Sequence, residues 1–173
     1  AIMMSYLGDQ TGVYRAMDKI GPASVADIAK ESGVDERYLL EWLSSNAARG
    51  YVNYNAESDE FSLTPEQAAV FARENEATCI QGLVQGVVGQ FVKEDLAVDV
   101  FKTGRGRPWG EHHECCFCGT ERFFRPAYAG HLLDEWIPAM TGVEEKLKNG
   151  AIVADIGCGL GTSSMLMAME YPN

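Results

Sequence analysis

Apolar residues recur with a helical period along most of this chain. Val13, Ala16, Met17 and Ile20 stand at i, i+3, i+4 and i+7, which predicts a helix face within residues 1–20. Gly21-Pro22 stops it. Ser24 is a good N-cap for a second helix carrying Ile28 and Ala29, with Gly33 as its left-handed stop. Asp35 caps a third, which places Leu39, Trp42, Leu43 and Ala47 on one face before Gly50. The period then shortens. Tyr51–Asn55 and Phe61–Leu63 read as two short strands around the polar turn Ala56-Glu57-Ser58-Asp59-Glu60.

Three helices and a hairpin in this order make a winged helix-turn-helix, over residues 1–75. Thr64-Pro65 opens a short helix to about Phe71, and Asn75 offers a cap for the next. Ile80, Leu83, Val84, Val87, Val88 and Phe91 keep helical spacing, with Gly82, Gly86 and Gly89 among them. Glycine costs ~1 kcal/mol against alanine inside a helix, so these three point to close approach of another helix, within the chain or across a dimer. Residues 76–140 therefore read as a helical connecting, dimerisation and pocket-lid segment. Gly104 to Gly119 reads as a loop, and the residues from Tyr128 to Ile137 as a helix ended by Pro138. Thr141-Gly142-Val143-Glu144 has the form of a capping box.

The most informative pattern comes last. Ala151 to Ile156 is an apolar run broken by Asp155; Gly157-Cys158-Gly159-Leu160-Gly161-Thr162 is glycine-rich; Ser163 to Glu170 favours helix. The order is strand, tight loop, helix. Glycine lets a backbone approach a ligand closely, and the following helix points its unpaired N–H groups over the loop. A dinucleotide fingerprint, G-x-G-x-x-G, would need its third glycine at 162, where Thr162 stands. The spacing is therefore not that of the dinucleotide fingerprint. The fold class is thus mainly α with a small β wing, with residues 141–173 expected to begin a Rossmann-like α/β domain. The alternative is a glycine turn of some other α/β protein.

Composition narrows the partners. The 173 residues carry a net charge of −11, which disfavours nucleic acid and anionic membrane surfaces. The third helix offers Arg37 and Arg49 but also Asp35, Glu36 and Glu41, and Gly50 to Ala72 holds no Lys or Arg. A phosphate backbone would be repelled. No apolar run approaches the ~18 residues of a membrane span, and no signal peptide opens the chain. The odd count of 5 cysteines, Cys115 and Cys116 adjacent, argues against a disulfide framework and for a reduced, cytoplasmic compartment. Cys115 and Cys118 form C-x-x-C beside His112 and His113, yet no second such pair exists and His131 is the one further His, so no metal site is expected. A redox C-x-x-C would want a helix N-terminus, and no cap signal stands between these cysteines.

Asp155-x-Gly157-x-Gly159-x-Gly161, with the winged helix and the aromatic segment Phe117–Tyr128 before it, resembles class I S-adenosylmethionine-dependent methyltransferases that carry an N-terminal winged helix. The resemblance spans nearly the whole chain but reaches only the N-terminal portion of such enzymes. It implies S-adenosyl-L-methionine as cofactor, held by Asp155, Gly157, Cys158, Gly159, Gly161 and Thr162, with Tyr128 and Arg125 as further candidates. It implies methyl transfer to a small-molecule acceptor and a homodimer. Trp109, His112, His113 and Phe117 would line the acceptor site; no general base is indicated. The family's ribose-binding acid would lie past the end of this chain, so the segment alone is expected to be inactive and part of a longer protein, or completed by another chain. Two rivals remain: a winged-helix DNA-binding regulator and a non-catalytic dimerisation module.

Overall fold

The computed structural model describes residues 1–173. The first half is a winged helix-turn-helix preceded by one extra helix. Residues 1–20 form two helices, not one: α1 (Ile2–Gln10) and α2 (Val13–Ile20). Gly12, in a left-handed conformation at φ 76°, breaks the run. α3 (Val25–Ser32) is capped by Ser24, whose side chain accepts the N–H of Asp27, and Gly33 ends it at φ 72°. α4 (Glu36–Ala47) is capped by Asp35 in the same manner. The wing is β1 (Asn53–Asn55) antiparallel to β2 (Glu60–Ser62). Phe61 exchanges both backbone hydrogen bonds with Ala23, at 2.9 and 3.1 Å, which ties the wing to the α2–α3 connection. α5 (Pro65–Phe71) carries the reciprocal Thr64–Gln67 capping box. One core joins these elements. Tyr14 packs edge-on against Trp42 and stacks on Phe71, with Met17, Ile28, Leu43 and Phe61 buried around them.

The second half is a helical layer. Asn75 caps nothing: α6 (Gln81–Val92) starts at Ile80 without a side-chain cap. α7 (Glu94–Thr103) follows, with no buried residue. The predicted loop 104–119 ends early, because α8 (Glu114–His131) begins at Glu114, after a 3-10 turn at Trp109–Glu111. Its cap is His113, whose Nδ1 accepts the N–H of Cys115 at 3.2 Å. A π-helical stretch, Leu132–Trp136, leads into the short α9 (Ile137–Ala139). α10 (Val143–Lys148) starts from left-handed Gly142 with no side-chain cap, so the expected capping box at Thr141 does not form.

The glycines of α6 face α8. A Cβ at Gly82 would strike the backbone of Phe123 and Gly119, one at Gly89 would strike Cys116, and one at Gly119 would strike the backbone of Gly86 and Gly82. The close approach predicted from the glycines is a contact inside one chain. Backbone cannot retreat as a side-chain tip can, so each of these sites excludes even a methyl group.

An ion cluster locks this layer to the winged helix. Arg122 of α8 donates to both oxygens of Asp9 in α1, at 2.9 and 3.0 Å. It also donates to both oxygens of Glu74, at 2.5 and 2.8 Å, and to Gln85 of α6 at 2.7 Å. Asp9 is 3% exposed. Burial pushes its carboxyl pKa up, but the hydrogen bonds and charge of Arg122, with help from Gln10 and Arg15, leave it below the usual carboxylate value. Hydrogen bonds from Arg122 lower Glu74 likewise.

The last segment departs from the expected fold. Residues 151–156 form no strand, and β1–β2 is the one sheet. No residue from 148 to 173 is buried, and Ile152 and Ile156 lie fully in solvent. A strand needs a neighbour for its N–H and C=O groups, and none lies beside this run. The helix after the loop does form, as α11 (Thr162–Glu170). Of the β-α unit expected at 141–173, the loop and the helix form and the strand does not.

Two predictions follow from this packing. Gly119→Ala should destabilise the protein by about 1–3 kcal/mol in urea unfolding, because the clash with α6 outweighs the better helix propensity of alanine. Arg122→Met should cost about 3–5 kcal/mol, leaving buried Asp9 with only the half-exposed Arg15 as its cation. Both lowered carboxylates stabilise the fold above their ordinary pKa of about 4 and lose that contribution as pH falls through their folded values. The wild-type urea midpoint should therefore fall steeply below about pH 4, and the Arg122→Met midpoint should fall less.

Candidate functional site

The glycine loop and the aromatic side of α8 form a cleft. Gly157, Gly159 and Gly161 take positive φ values of 78°, 57° and 85°. A side chain at these alternate positions would be strained. The N–H of Gly161 closes the turn on the carbonyl of Cys158 at 2.9 Å, and Gly161 leads directly into α11. The Thr162 hydroxyl donates to Glu121 at 2.5 Å, which staples the start of α11 to α8. Opposite the loop, Phe117, Glu121, Phe124 and Tyr128 stand four, three and four residues apart, one face of α8. Trp109 closes the wall edge-on against Phe117. These residues, with Thr120, Gly157, Cys158, Gly159 and Leu160, enclose about 130 Å³.

The sequence-predicted residues divide. Tyr128, Gly157, Cys158 and Gly159 meet in the cleft. Gly161 and Thr162 shape its edge without lining it. Asp155 lies in a neighbouring cavity of about 250 Å³ with Leu147, Val153, Met167 and Tyr171. Its Oδ2 accepts the hydroxyls of Ser163 and Ser164 at 2.6 and 2.7 Å. Those bonds hold the carboxyl below its ordinary pKa, that of Ser163 first. Arg125 is turned away, 3.7 Å from Glu74. Of the expected acceptor-lining residues, Trp109 and Phe117 reach the cleft, whereas His113 is spent on capping α8. His112 stacks obliquely near Trp109, and burial, then Arg107, holds its pKa below the usual imidazole value.

The cysteines stand differently from expectation. The C-x-x-C pair does lie in the first turn of a helix, with His113 as the cap the sequence hid. Cys116, between them, is buried, and burial raises its thiol pKa. No three His, Cys, Asp or Glu side chains converge as a metal site requires. Sequence reasoning missed the continuous face of α8. The 117, 121, 124, 128 spacing was its one available signal.

Residues 1–73 match the family model of the Rv2258c-like winged HTH domain. That is the winged helix-turn-helix built above. No curated protein matches the sequence. Among solved structures, the chain is similar to PigF with SAH, with a TM-score of 0.59 at 17% identity. The match covers 99% of this chain and 52% of that one, so the chain spans about half the length of the structure it resembles. At this identity the likeness is one of fold. No helix here is long and apolar enough to cross a membrane.

Removing both hydroxyls, in Ser163→Ala with Ser164→Ala, should return the Asp155 carboxyl upward to its ordinary range. A side-chain carboxyl NMR titration reads this directly.

Proposed function

We propose that this chain is part of an S-adenosylmethionine-dependent methyltransferase acting on a small-molecule acceptor. The observation that carries the reading is the cleft: left-handed Gly157 and Gly159 lie opposite Trp109, Phe117, Phe124 and Tyr128, with left-handed Gly161 and the start of α11 at its edge. The likeness in fold to PigF with SAH supports it independently. SAH, S-adenosylhomocysteine, is what the methyl donor becomes once its methyl has left.

The residues fit the group. A Cβ at Gly157, Gly159 or Gly161 would meet nothing, so the loop presents open backbone. N–H groups at the start of α11 suit the cofactor's carboxylate. The aromatic wall suits a sulfonium, since aromatic faces attract cations and contact sulfur favourably. Asp155 is the acid we assign to the ammonium, although its carboxylate lines the neighbouring cavity and not the cleft and accepts from Ser163 and Ser164. When bound, the donor would supply an activated methyl group to a nucleophilic atom of the acceptor. The chain's own part is to hold, orient and exclude water, which is where most of the acceleration of such a displacement arises. In this reading residues 1–75 are the winged helix, 76–140 the pocket wall and 141–173 the start of the cofactor domain.

Charge speaks against the DNA-binding alternative. Arg37 on α4 is paired with Glu41 at 2.6 Å, and the wing tip is Glu57, Asp59 and Glu60. Neither surface neutralises phosphates.

A cleft of 130 Å³ is small against the roughly 300–1,000 Å³ of whole-ligand pockets. Binding to the 173-residue chain should therefore be weak, on the order of 1 mM. Saturation-transfer NMR should detect SAH on the wild-type chain and lose it in Gly159→Val, while NAD gives no signal. SAH binding unaffected by Gly159→Val, or NAD binding equally well, would overturn the reading.

A further inference from the structure

The C-x-x-C pair takes no part in lining the cleft. Cys115 and Cys118 are both free thiols near the start of α8, Cys115 half-buried and Cys118 exposed. Residues three apart in a helix hold their α-carbons about 5 Å apart, inside the roughly 4.4–6.8 Å that a disulfide spans. Their β-carbons, at about 5–6 Å, need to close by about 1–2 Å. A helix start is where such closing is easiest, because its first N–H groups lack partners four residues back. The turn here is already tightened: the Cys116 N–H donates to the carbonyl of His113, three residues back, at 2.8 Å. The neighbouring thiol is out of reach. Cys116 is buried against α6, its Sγ directed at the Gly86 carbonyl at 3.6 Å. At 100° per residue, Cys115 and Cys118 fall instead about 60° apart, on the face that carries Arg122. Tyr6 of α1 stands against Cys115 there: burial first, then that sulfur, raises the Tyr6 pKa.

We propose that Cys115 and Cys118 are a redox-active dithiol, which closes to an intrachain disulfide by exchange with a small-molecule disulfide. Exposed Cys118 reacts first. Its thiolate attacks one sulfur of the small disulfide, that S–S bond breaks, and one small thiolate leaves. Cys115 then attacks the Cys118 sulfur of the mixed disulfide and displaces the second small thiolate. Two S–H bonds are lost and one S–S bond forms. The two electrons reduce the small disulfide to two thiols, which take up the two protons. A helix N-terminus favours the negative charge that sulfur carries during such exchange. The Tyr6 hydroxyl can donate to Cys115 as that charge develops. Nothing in this pairing depends on what the cleft binds. Phe117, between the two cysteines, does line the cleft, so the bond closes on the turn that carries one of its walls.

Exchange with glutathione on the 173-residue chain tests this, read by alkylating the remaining thiols and mapping the tryptic fragment from Gly106 to Arg122, which holds Cys115, Cys116 and Cys118. In excess oxidised glutathione the folded wild type should lose two hydrogen masses on this fragment and keep Cys116 as its one alkylated thiol. Dithiothreitol should restore all three thiols. Cys118→Ser should cut the bridged fraction at least tenfold and leave the thermal midpoint unchanged, since that side chain is exposed. Cys115→Ser should also prevent the bridge and leave Cys118 as a mixed disulfide with glutathione. Cys116→Ala and Cys158→Ser should both still bridge. In urea, where the helix no longer selects partners, Cys116 should compete and the pairing should scatter. Three alkylated thiols in the oxidised wild type, a reaction that stops at the mixed disulfide, bridging in Cys118→Ser at the wild-type level, or scattered pairing in the folded chain would overturn the proposal.

Discussion

The helical second half of this protein is tied to the winged helix through one half-buried guanidinium. Arg122 gathers Asp9, Glu74 and Gln85, from α1, the segment after α5, and α6. A charge this enclosed is tolerated only where its donors are matched, and here two carboxylates and an amide receive them. The consequence is geometric. At 100° per residue, the stripe of α8 at 116, 119 and 123 lies about 140° from the stripe at 117, 121, 124 and 128. Arg122 falls between them on the far side. Its bonds therefore set the rotation of α8, which in turn gives the glycine stripe to α6 and the aromatic stripe to the glycine loop. An apolar replacement of similar volume might pack as well, but it would not choose that rotation. Direction is what the fork of an arginine supplies.

How much of this was legible in the sequence depends on how local each feature is. The winged helix was read well because its signals are short-range: Ser24, Asp35 and Thr64 cap the helices they precede, and Gly33 ends the one before it. The stripe at Gly82 and Gly89 was legible because glycine in a helix asks for a reason. The start of α8 was hidden because its cap is a histidine, a residue that rarely signals a helix N-terminus. Thr141 misled for the converse reason: left-handed Gly142 already begins α10, and the threonine is left outside. The ion cluster was beyond reach, since 113 residues separate Asp9 from Arg122.

The run at 151–156 teaches a different lesson. Its composition is that of a covered central strand, and its side chains nevertheless lie in water. Apolar β-branched residues state where a strand is wanted; only a neighbour makes one. The glycine loop and α11 form without it because their geometry is local, set by left-handed glycines and an i to i+4 ladder. The loop is thus a more robust element than the strand that leads into it. The carboxylate at the strand's end shares that dependence: Asp155 turns to the nearest hydroxyls, those of Ser163 and Ser164.

The charge of the chain and the chemistry of its cleft act at different ranges. A net charge of −11 would draw any cationic ligand toward the protein, but at physiological salt such attraction fades beyond roughly 8 Å. Selection must then come from contact. Within the cleft the one carboxylate, Glu121, accepts the Thr162 hydroxyl, a neutral donor that leaves its charge in place. In the methyl-transfer reading, that charge and the four aromatic rings around it would distinguish a sulfonium from a neutral thioether of the same shape. A cation over such faces gains about 0.5–2 kcal/mol per good contact, more as water is excluded. This preference disappears once the methyl is gone and the sulfur is neutral. Under the methyl-transfer reading proposed above, such a wall of rings would hold the donor more tightly than the spent product, a bias toward turnover set by contact and not by long-range charge.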